Sequence, residues 1–353
     1  EKAAVNKKNW RRLLLSTIAL ACMAETIISL TYDSPHRLLA EQSRCLQAWP
    51  SELTPLLPYC GWFNRVGSSL VNQEEKTSRV TVWPNGQRAS RLNSQRNGQP
   101  KVLALGCSYI YGFALNDQDT LLWKLNERYP QAVFDNYGVV GWGTYQSLLL
   151  GEYLLQKQSY DLVLYFYILN HRFRSERGCY IGEFAMGHWY TAAPEVFVKD
   201  QIMHVRPSFY YHWPWQEFSA MAEYGGRLYA ATRQRYYEQI KEKERSQDGD
   251  EALLAQIIYQ CNNFNKICQA KHSKFALVVL EDRNFNLPKW RSQADFDIVD
   301  LRFGTEKAEY RNGGQERFHP NEEAQILWLN GLSHWLEDSS LISFDILERR
   351  RED

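Results

Sequence analysis

From residue 99 to residue 337, compact apolar runs alternate with longer stretches in which leucines recur at helical spacing. A short apolar run bounded by Gly, Asp or Asn is typical of a strand that is buried on both faces. Such runs predict strands at 101–105, 132–136, 161–169, 275–280 and 296–301, and the stretches between them predict helices at 119–129, 146–156, 251–271 and 321–336. Strands that alternate with helices indicate an α/β domain with a largely parallel sheet covered on both faces.

Two segments fall outside this alternation and divide the chain. Residues 32–98 are rich in Pro, Ser, Asn and Gln and have few periodic stretches, so we interpret them as an N-terminal extension. Residues 175–250 interrupt the order of strands and helices, and we interpret them as an insertion rich in aromatic residues. Aromatic side chains in such a segment belong to a core more often than to a binding surface. The predicted domain spans 99–337, and residues 338–353 form a charged tail.

Basic residues precede an apolar run from Leu13 to Leu30; they are Lys7, Lys8, Arg11 and Arg12. The run approaches the ~20 residues that cross a bilayer, and a basic flank stays on the cytoplasmic side. Residues 1–31 are therefore predicted to be a signal or membrane anchor that leaves the rest of the chain outside the cytoplasm. Because Glu25 interrupts the run, two other interpretations stay open: a cleavable signal with a site at Ala19-Leu20-Ala21, or an ordinary buried helix.

The composition narrows the classes of partner. The sequence has 41 Lys and Arg against 41 Asp and Glu, so its formal net charge is zero, and we expect no nucleic-acid partner. It contains no zinc spacing, no Walker-type loop and no Gly-rich dinucleotide fingerprint, so we expect no metal and no cofactor. No pattern in the sequence indicates an oligomeric state.

Four segments that carry reactive or polar groups follow predicted strands or precede the last predicted helix. Because the carboxyl ends of parallel strands meet at one edge of a sheet, these segments are expected to lie together. In Gly106-Cys107-Ser108-Tyr109-Ile110-Tyr111-Gly112, Ser108 would present its hydroxyl from a tight turn, although Ser is also an ordinary helix cap. The second segment is Asn136–Gly143, whose glycines allow a close backbone approach to a ligand. The third is Asn170. The fourth is His319-Pro320-Asn321, in which proline starts the last helix.

The order and internal spacing of these segments resemble the four blocks of the SGNH/GDSL hydrolase superfamily. The matching residues are Gly106, Ser108 and Gly112 in the first block, Asn136 and Gly141 in the second, Asn170 in the third, and Glu316, His319 and Pro320 in the last. The segment Trp83–Arg88 also resembles the lead-in of many bacterial members. The resemblance covers residues 79–174 and 251–337, and it implies a three-layer α/β/α fold with a flavodoxin-like parallel sheet.

The resemblance also implies an ester hydrolase with defined roles for its residues. Ser108 would be the nucleophile, His319 the general base and Glu316 the acid that orients the imidazole. The Ser108 and Gly141 amides and the Asn170 side chain would form the oxyanion hole. The implied substrate is an O-acyl ester, and an acylated surface glycan is one candidate. An O-acyltransferase with the same site, and a non-catalytic binding or scaffold protein of polysaccharide assembly, stay open.

Three residues depart from the family pattern. Cys107 stands where the family has Asp, Glu316 replaces the usual Asp, and His171 follows Asn170 where many relatives have Asp. The Asp at the Cys107 position is not the triad acid, so its replacement need not abolish catalysis. Cys107 itself is a weak candidate nucleophile, since no neighbouring residue in the sequence is a cation that would favour its thiolate.

Overall fold

The computed structural model describes residues 2–31, 50–72, 77–92, 99–174, 194–199, 202–206, 219–222, 224, 225, 228, 247–282, 285–305, 307–312 and 319–339. In chain order the strands are β1 Gly67–Asn72, β2 Thr77–Val82, β3 Lys101–Gly106, β4 Val133–Gly138, β5 Leu162–Ile168, β6 Glu195–Lys199, β7 Ile202–Arg206, β8 Lys274–Glu281 and β9 Asp297–Asp300. The helices with described bounds are α1 Lys2–Thr31, α2 Leu57–Cys60, α3 Ser108–Tyr111, α4 Leu121–Arg128, α5 Thr144–Lys157, α6 His171–Arg174, α7 Gln247–Ala270, α8 Leu287–Arg291 and α9 Glu322–Asp338.

A five-stranded parallel sheet forms the centre of the fold, in the order β4-β3-β5-β8-β9. These are the five strands predicted from the apolar runs, and their order is that of flavodoxin-like sheets. The direction in which strands are added to the sheet reverses after β4. The chain passes from β3 to β4 on one side, and then crosses back to form β5 on the other side of β3. A cleft at the carboxyl ends of the strands is expected at such a reversal.

Helices cover both faces of the sheet and complete the three layers. Alternate side chains of a strand point to opposite faces, so Leu103 and Leu105 pack into one core while Val102 and Ala104 pack into the other. The first core includes α5, α7 and α8, and the second includes α3, α4 and α9. The predicted α/β fold with helices on both faces is confirmed.

The residues before the sheet pack against the loop that follows β4. Strands β1 and β2 form an antiparallel pair. The Trp62 indole donates to the carbonyl oxygen of Val140 at 2.7 Å, and the Trp142 indole donates to the carbonyl oxygen of Trp62 at 3.0 Å. These bonds tie the segment before the sheet to one side of the candidate site.

Helix α1 contains a 20-residue stretch, Arg12–Thr31, that is long and apolar enough to cross a membrane. Its mean hydropathy is 2.0, and none of the stretch is buried against the rest of the chain, unlike an ordinary core helix. The carboxylate of Glu25, which interrupts the apolar run, accepts hydrogen bonds from the Ser219 hydroxyl and from the amides of Ala220 and Met221. The charged residue in the apolar helix is thus hydrogen-bonded within the chain.

Candidate active site

The turn that carries Ser108 connects β3 to α3. The amides of Ile110 and Tyr111 both donate to the Cys107 carbonyl oxygen, at 3.1 and 3.0 Å, so the chain turns tightly there. Ser108 is the first residue of α3 and is only 3% exposed. The Cys107 side chain packs into the core on the α4 and α9 face of the sheet. Cys107 is therefore part of the core packing beneath the turn.

The end of β4 packs directly against this turn. The Asn136 side chain donates to the Ile110 carbonyl oxygen at 2.7 Å and accepts from the Gly138 amide at 3.0 Å. A Cβ at Gly138 would lie 2.5 Å from the Tyr111 backbone nitrogen, which is closer than real Cβ atoms come. The second predicted block therefore needs glycine here because the two backbones touch.

Gly141 lies in a fixed turn between β4 and α5. Its φ is 81°, in the left-handed region that favours glycine, and the Trp142 amide donates to the Val139 carbonyl oxygen at 3.2 Å. Trp142 is fully buried and anchors the turn. Gly141 thus has a defined backbone orientation on the loop beside the Ser108 turn.

Asn170 follows β5 at the same edge of the sheet, and its side chain is exposed. The next residue, His171, is buried. Tyr165 Oη donates to Thr144 Oγ1 at 2.9 Å and lies 2.6 Å from His171 Nδ1, so the Tyr165 oxygen accepts from the Nδ1–H group. Burial, and then the Arg174 cation, hold the His171 pKa well below its usual value, so this imidazole is neutral. His171, which stands where many relatives have Asp, therefore forms a buried hydrogen bond with Tyr165 beneath the loops that carry Gly141 and Asn170.

The His319 ring packs on two aromatic side chains from the Ser108 segment. Its centroid lies 4.8 Å from that of Phe113 and 6.2 Å from that of Tyr109. The Asn312 amide donates to the His319 carbonyl oxygen at 2.9 Å, and the Asn321 side chain caps α9 by accepting from the Ala324 amide. The imidazole is thus held over the residues that follow Ser108.

The electrostatic environment keeps His319 neutral. Burial, followed by the positive charges of Arg174 and Arg311, lowers its pKa from the ordinary 6.5 to about 4. A general base must be unprotonated to accept a proton, and this imidazole meets that condition at neutral pH.

A charged cluster beside the site could not be read from the sequence. Tyr109 donates to a Glu281 carboxylate oxygen at 2.8 Å, and Arg311 binds the same oxygen at 2.7 Å and the Tyr109 hydroxyl at 2.7 Å. Burial, and then the charge of Glu281, raise the Tyr109 pKa, so the phenol keeps its proton. The signal for Glu281 was its position at the carboxyl end of an apolar strand; Arg311 had no comparable signal.

Arg88 contacts both the Ser108 turn and the end of β4. It is fully buried, forms a 3.1 Å ion pair with Asp117, and its guanidinium lies 4.9 Å from the centroid of the Tyr111 ring. Its amide also donates to the Asn136 carbonyl oxygen at 2.9 Å. The lead-in segment noted in the sequence thus contacts both the first and the second block.

Comparisons with known proteins found matches among solved structures and none among protein families or curated sequences. No protein-family model matches the sequence, and no curated protein is similar to it. The fold is similar to that of the psychrotrophic esterase EstA from Pseudoalteromonas sp., at 12% identity over 68% of this chain and 98% of that one, with a TM-score of 0.38. It is also similar to a member of the lipolytic protein G-D-S-L family from Veillonella parvula, at 10% identity over 66% and 96% of the two chains, with a TM-score of 0.35. A GDSL-like lipase from Bacteroides thetaiotaomicron is 11% identical over 70% and 93% of the chains, with a TM-score of 0.31.

The structure brings most of the predicted site residues to one edge of the sheet. Ser108, Gly141 and Asn170 follow three adjacent strands, β3, β4 and β5, and His319 precedes α9 with its ring on the Ser108 segment. Glu316 lies outside the described residues. A hydroxyl, a neutral imidazole and amide donors in one place are the groups that acyl transfer requires.

Proposed function

We propose that the chain is a serine esterase of the SGNH/GDSL type, with Ser108 as its nucleophile and His319 as its general base. The observation that carries this proposal is the packing of the His319 ring on Tyr109, which follows Ser108 directly, and on Phe113, which lies just beyond α3. The lowered pKa of His319 leaves the imidazole unprotonated at neutral pH, which is the state a general base requires.

The proposed reaction has two steps. Ser108 Oγ attacks the carbonyl carbon of an ester while His319 accepts the hydroxyl proton. The bond from that carbon to the alcohol oxygen then breaks as His319 returns the proton to the leaving alcohol, which leaves an acyl group on Ser108. Water adds to the acyl group with the help of the same imidazole, and the carboxylic acid leaves.

The developing negative charge is proposed to be stabilised by the amides of Ser108 and Gly141 and by the Asn170 side chain. One such donor contributes about 3 kcal/mol to the stability of a transition state. The hydrogen bonds of His171 and Trp142 support this role, since they fix the two loops that carry the donors. Glu316 is proposed to orient the imidazole, on the spacing of three residues before His319.

The site is proposed to work outside the cytoplasm, on an O-acylated molecule such as a surface glycan. The apolar stretch Arg12–Thr31 supports a membrane anchor, and the basic residues before it support an orientation with the sheet domain on the outer side.

A fluorophosphonate probe tests the nucleophile. Such a probe should label the purified wild-type protein, and Ser108→Ala should lose both the label and the hydrolysis of p-nitrophenyl acetate. Cys107→Ala is the matched control, because it removes the neighbouring nucleophile and should keep the label. Circular dichroism checks that both variants are folded. Labelling that persists in Ser108→Ala contradicts the assignment of Ser108 and indicates another nucleophile. An unlabelled wild-type protein contradicts the esterase proposal and favours a binding or scaffold protein. Labelling with acyl transfer to a sugar but no hydrolysis favours an O-acyltransferase.

A further inference from the structure

Arg174 connects the two loops that carry the candidate oxyanion donors. It ends α6, in the loop region that follows Asn170, and its Nη1 donates a 2.8 Å hydrogen bond to the carbonyl oxygen of Trp142. Trp142 follows Gly141 directly. Because β3 lies between β4 and β5 in the sheet, a side chain that reaches from the loop after β5 to the loop after β4 crosses the end of β3. Ser108 lies at that end.

The charge of Arg174 is not neutralised by any carboxylate among the residues that the structure describes. Arg311, which also acts on His319, is different, because Glu281 pairs with it at 2.7 Å. Among the described residues, this partly buried guanidinium binds a carbonyl oxygen and no carboxylate, so within that part of the chain its lost hydration is not offset by an opposite charge. Such a cation is stabilised when an anion binds beside it.

The effect of this charge reaches the proposed catalytic base. After burial, the positive charge of Arg174 is the largest cause of the low pKa of His319, ahead of Arg311. It is also the charge that lowers the pKa of the buried His171. The guanidinium therefore acts on both sides of the site, and a negative group of a bound substrate would lie within the same field.

We propose that Arg174 binds an anionic group, a carboxylate or a phosphate, on the substrate beside the ester that Ser108 attacks. The inference rests on the esterase function proposed above and narrows its substrate to acyl esters that carry a negative charge. The guanidinium has N–H donors beyond the one used by Trp142, and its planar fork suits carboxylate and phosphate oxygens. A hydrogen bond to a charged group corresponds to about tenfold to a hundredfold in affinity.

Binding to the Ser108→Ala protein tests the anion site without turnover. Calorimetry on the detergent-solubilised full chain should give a Kd for an O-acetylated methyl glucuronoside about tenfold to a hundredfold lower than for its uncharged primary amide. An O-acetylated sugar phosphate, as a third ligand, distinguishes a phosphate from a carboxylate preference. Adding Arg174→Gln should remove the difference between acid and amide, and Arg174→Lys should restore part of it.

The double variant Arg311→Gln/Glu281→Gln is the matched control. It removes the other cation near His319 together with its carboxylate, so the local net charge is unchanged and the preference for the acid should persist. Equal affinities for acid and amide, no binding of either anionic ligand, or a preference that survives Arg174→Gln overturns the anion site. A preference that depends on Arg174 in a chain whose Ser108 is not labelled by the fluorophosphonate contradicts the esterase proposal alone.

Discussion

The side-chain amide of Asn136 donates a 2.7 Å hydrogen bond to the carbonyl oxygen of Ile110, which joins the end of β4 to the turn that carries Ser108. The same side chain accepts from the Gly138 amide at 3.0 Å, so both ends of the carboxamide are used. Asn136 is fully buried. Asn136 thus holds the end of β4 and the Ser108 turn together.

Asn136→Asp should destabilise the fold more at pH 7 than at pH 4. The carboxylate keeps the acceptor for Gly138 but faces the Ile110 carbonyl oxygen with no donor, and a buried unpaired group costs about 1–3 kcal/mol or more. Burial raises the pKa of such a carboxyl above its unfolded value of about 4, so the folded state retains the proton and stability falls as pH rises. Urea unfolding at the two pH values measures the difference.

Asn330→Asp is the control for this substitution. Asn330 is exposed and accepts from Arg128 at 3.1 Å, so a carboxylate there has a cation beside it. We expect no loss of stability at pH 7. If Asn136→Asp is as stable as Asn330→Asp, the hydrogen bond to Ile110 does not hold the turn.

The sheet and the order of the site segments could be predicted because each depends on local patterns. The strand predicted at 161–169 is β5, Leu162–Ile168, which is buried along its whole length. The helix predicted at 146–156 begins earlier, at Thr144, because the Gln146 side chain accepts from the Gly143 amide and caps the first turn. Apolar runs identify the centre of an element, whereas its ends depend on such individual hydrogen bonds.

The cluster of Tyr109, Glu281 and Arg311 could not be predicted, because its members are far apart in the sequence. Tyr109 and Glu281 are separated by 172 residues. Nothing in the local sequence indicates that the side chain that follows Ser108 binds a carboxylate from β8. The contact of Glu25 with Ser219 is a second example, since it joins the apolar helix to a segment interpreted only as an insertion.

For a neutral ester, kcat/KM should stay constant as the pH falls from neutral to about pH 4 to 5. The neutral form of His319 is the active base, so activity is present above its folded pKa of about 4 and is lost as pH falls through that value. Arg174→Gln should shift the acid limb towards 6.5, because it removes a cation that disfavours the protonated imidazole. An acid limb that Arg174→Gln does not move contradicts this account of the site.

A reporter fused to the C-terminus should show that the sheet domain lies outside the cytoplasm. The basic residues before Leu13 favour the cytoplasmic side, and the stretch Arg12–Thr31 is long enough to cross the bilayer. A fluorescent reporter that matures only in the cytoplasm should therefore stay dark. A fusion that begins at Tyr32 is the control and should be bright; a bright fusion of the whole chain contradicts export.

Glu316→Gln should lower kcat less than His319→Ala does and leave the Kd of a substrate analogue unchanged. Glu316 is three residues before His319, and it follows Gly313-Gly314 in the sequence. The two residues on either side of this segment are joined, because the Asn312 amide donates to the His319 carbonyl oxygen. An acid in this position orients the imidazole and stabilises its charged form, and an acid-to-amide change can cost about ten-thousandfold in kcat where it forces the wrong tautomer.

Two features of this chain argue for a smaller loss. A glutamate has one more methylene than the usual aspartate and is held less firmly, and the His319 ring is already positioned by Phe113 and Tyr109 without any acid. Removing the imidazole, in contrast, removes the only group proposed to accept the Ser108 proton. Steady-state kinetics of the two variants on one ester make the comparison, with Glu316→Asp as the conservative variant that should restore activity. A loss in Glu316→Gln as large as that in His319→Ala means that the acid and the base act as one unit. No loss at all means that His319 works as a dyad base with Ser108, and the carboxylate has no part in the reaction.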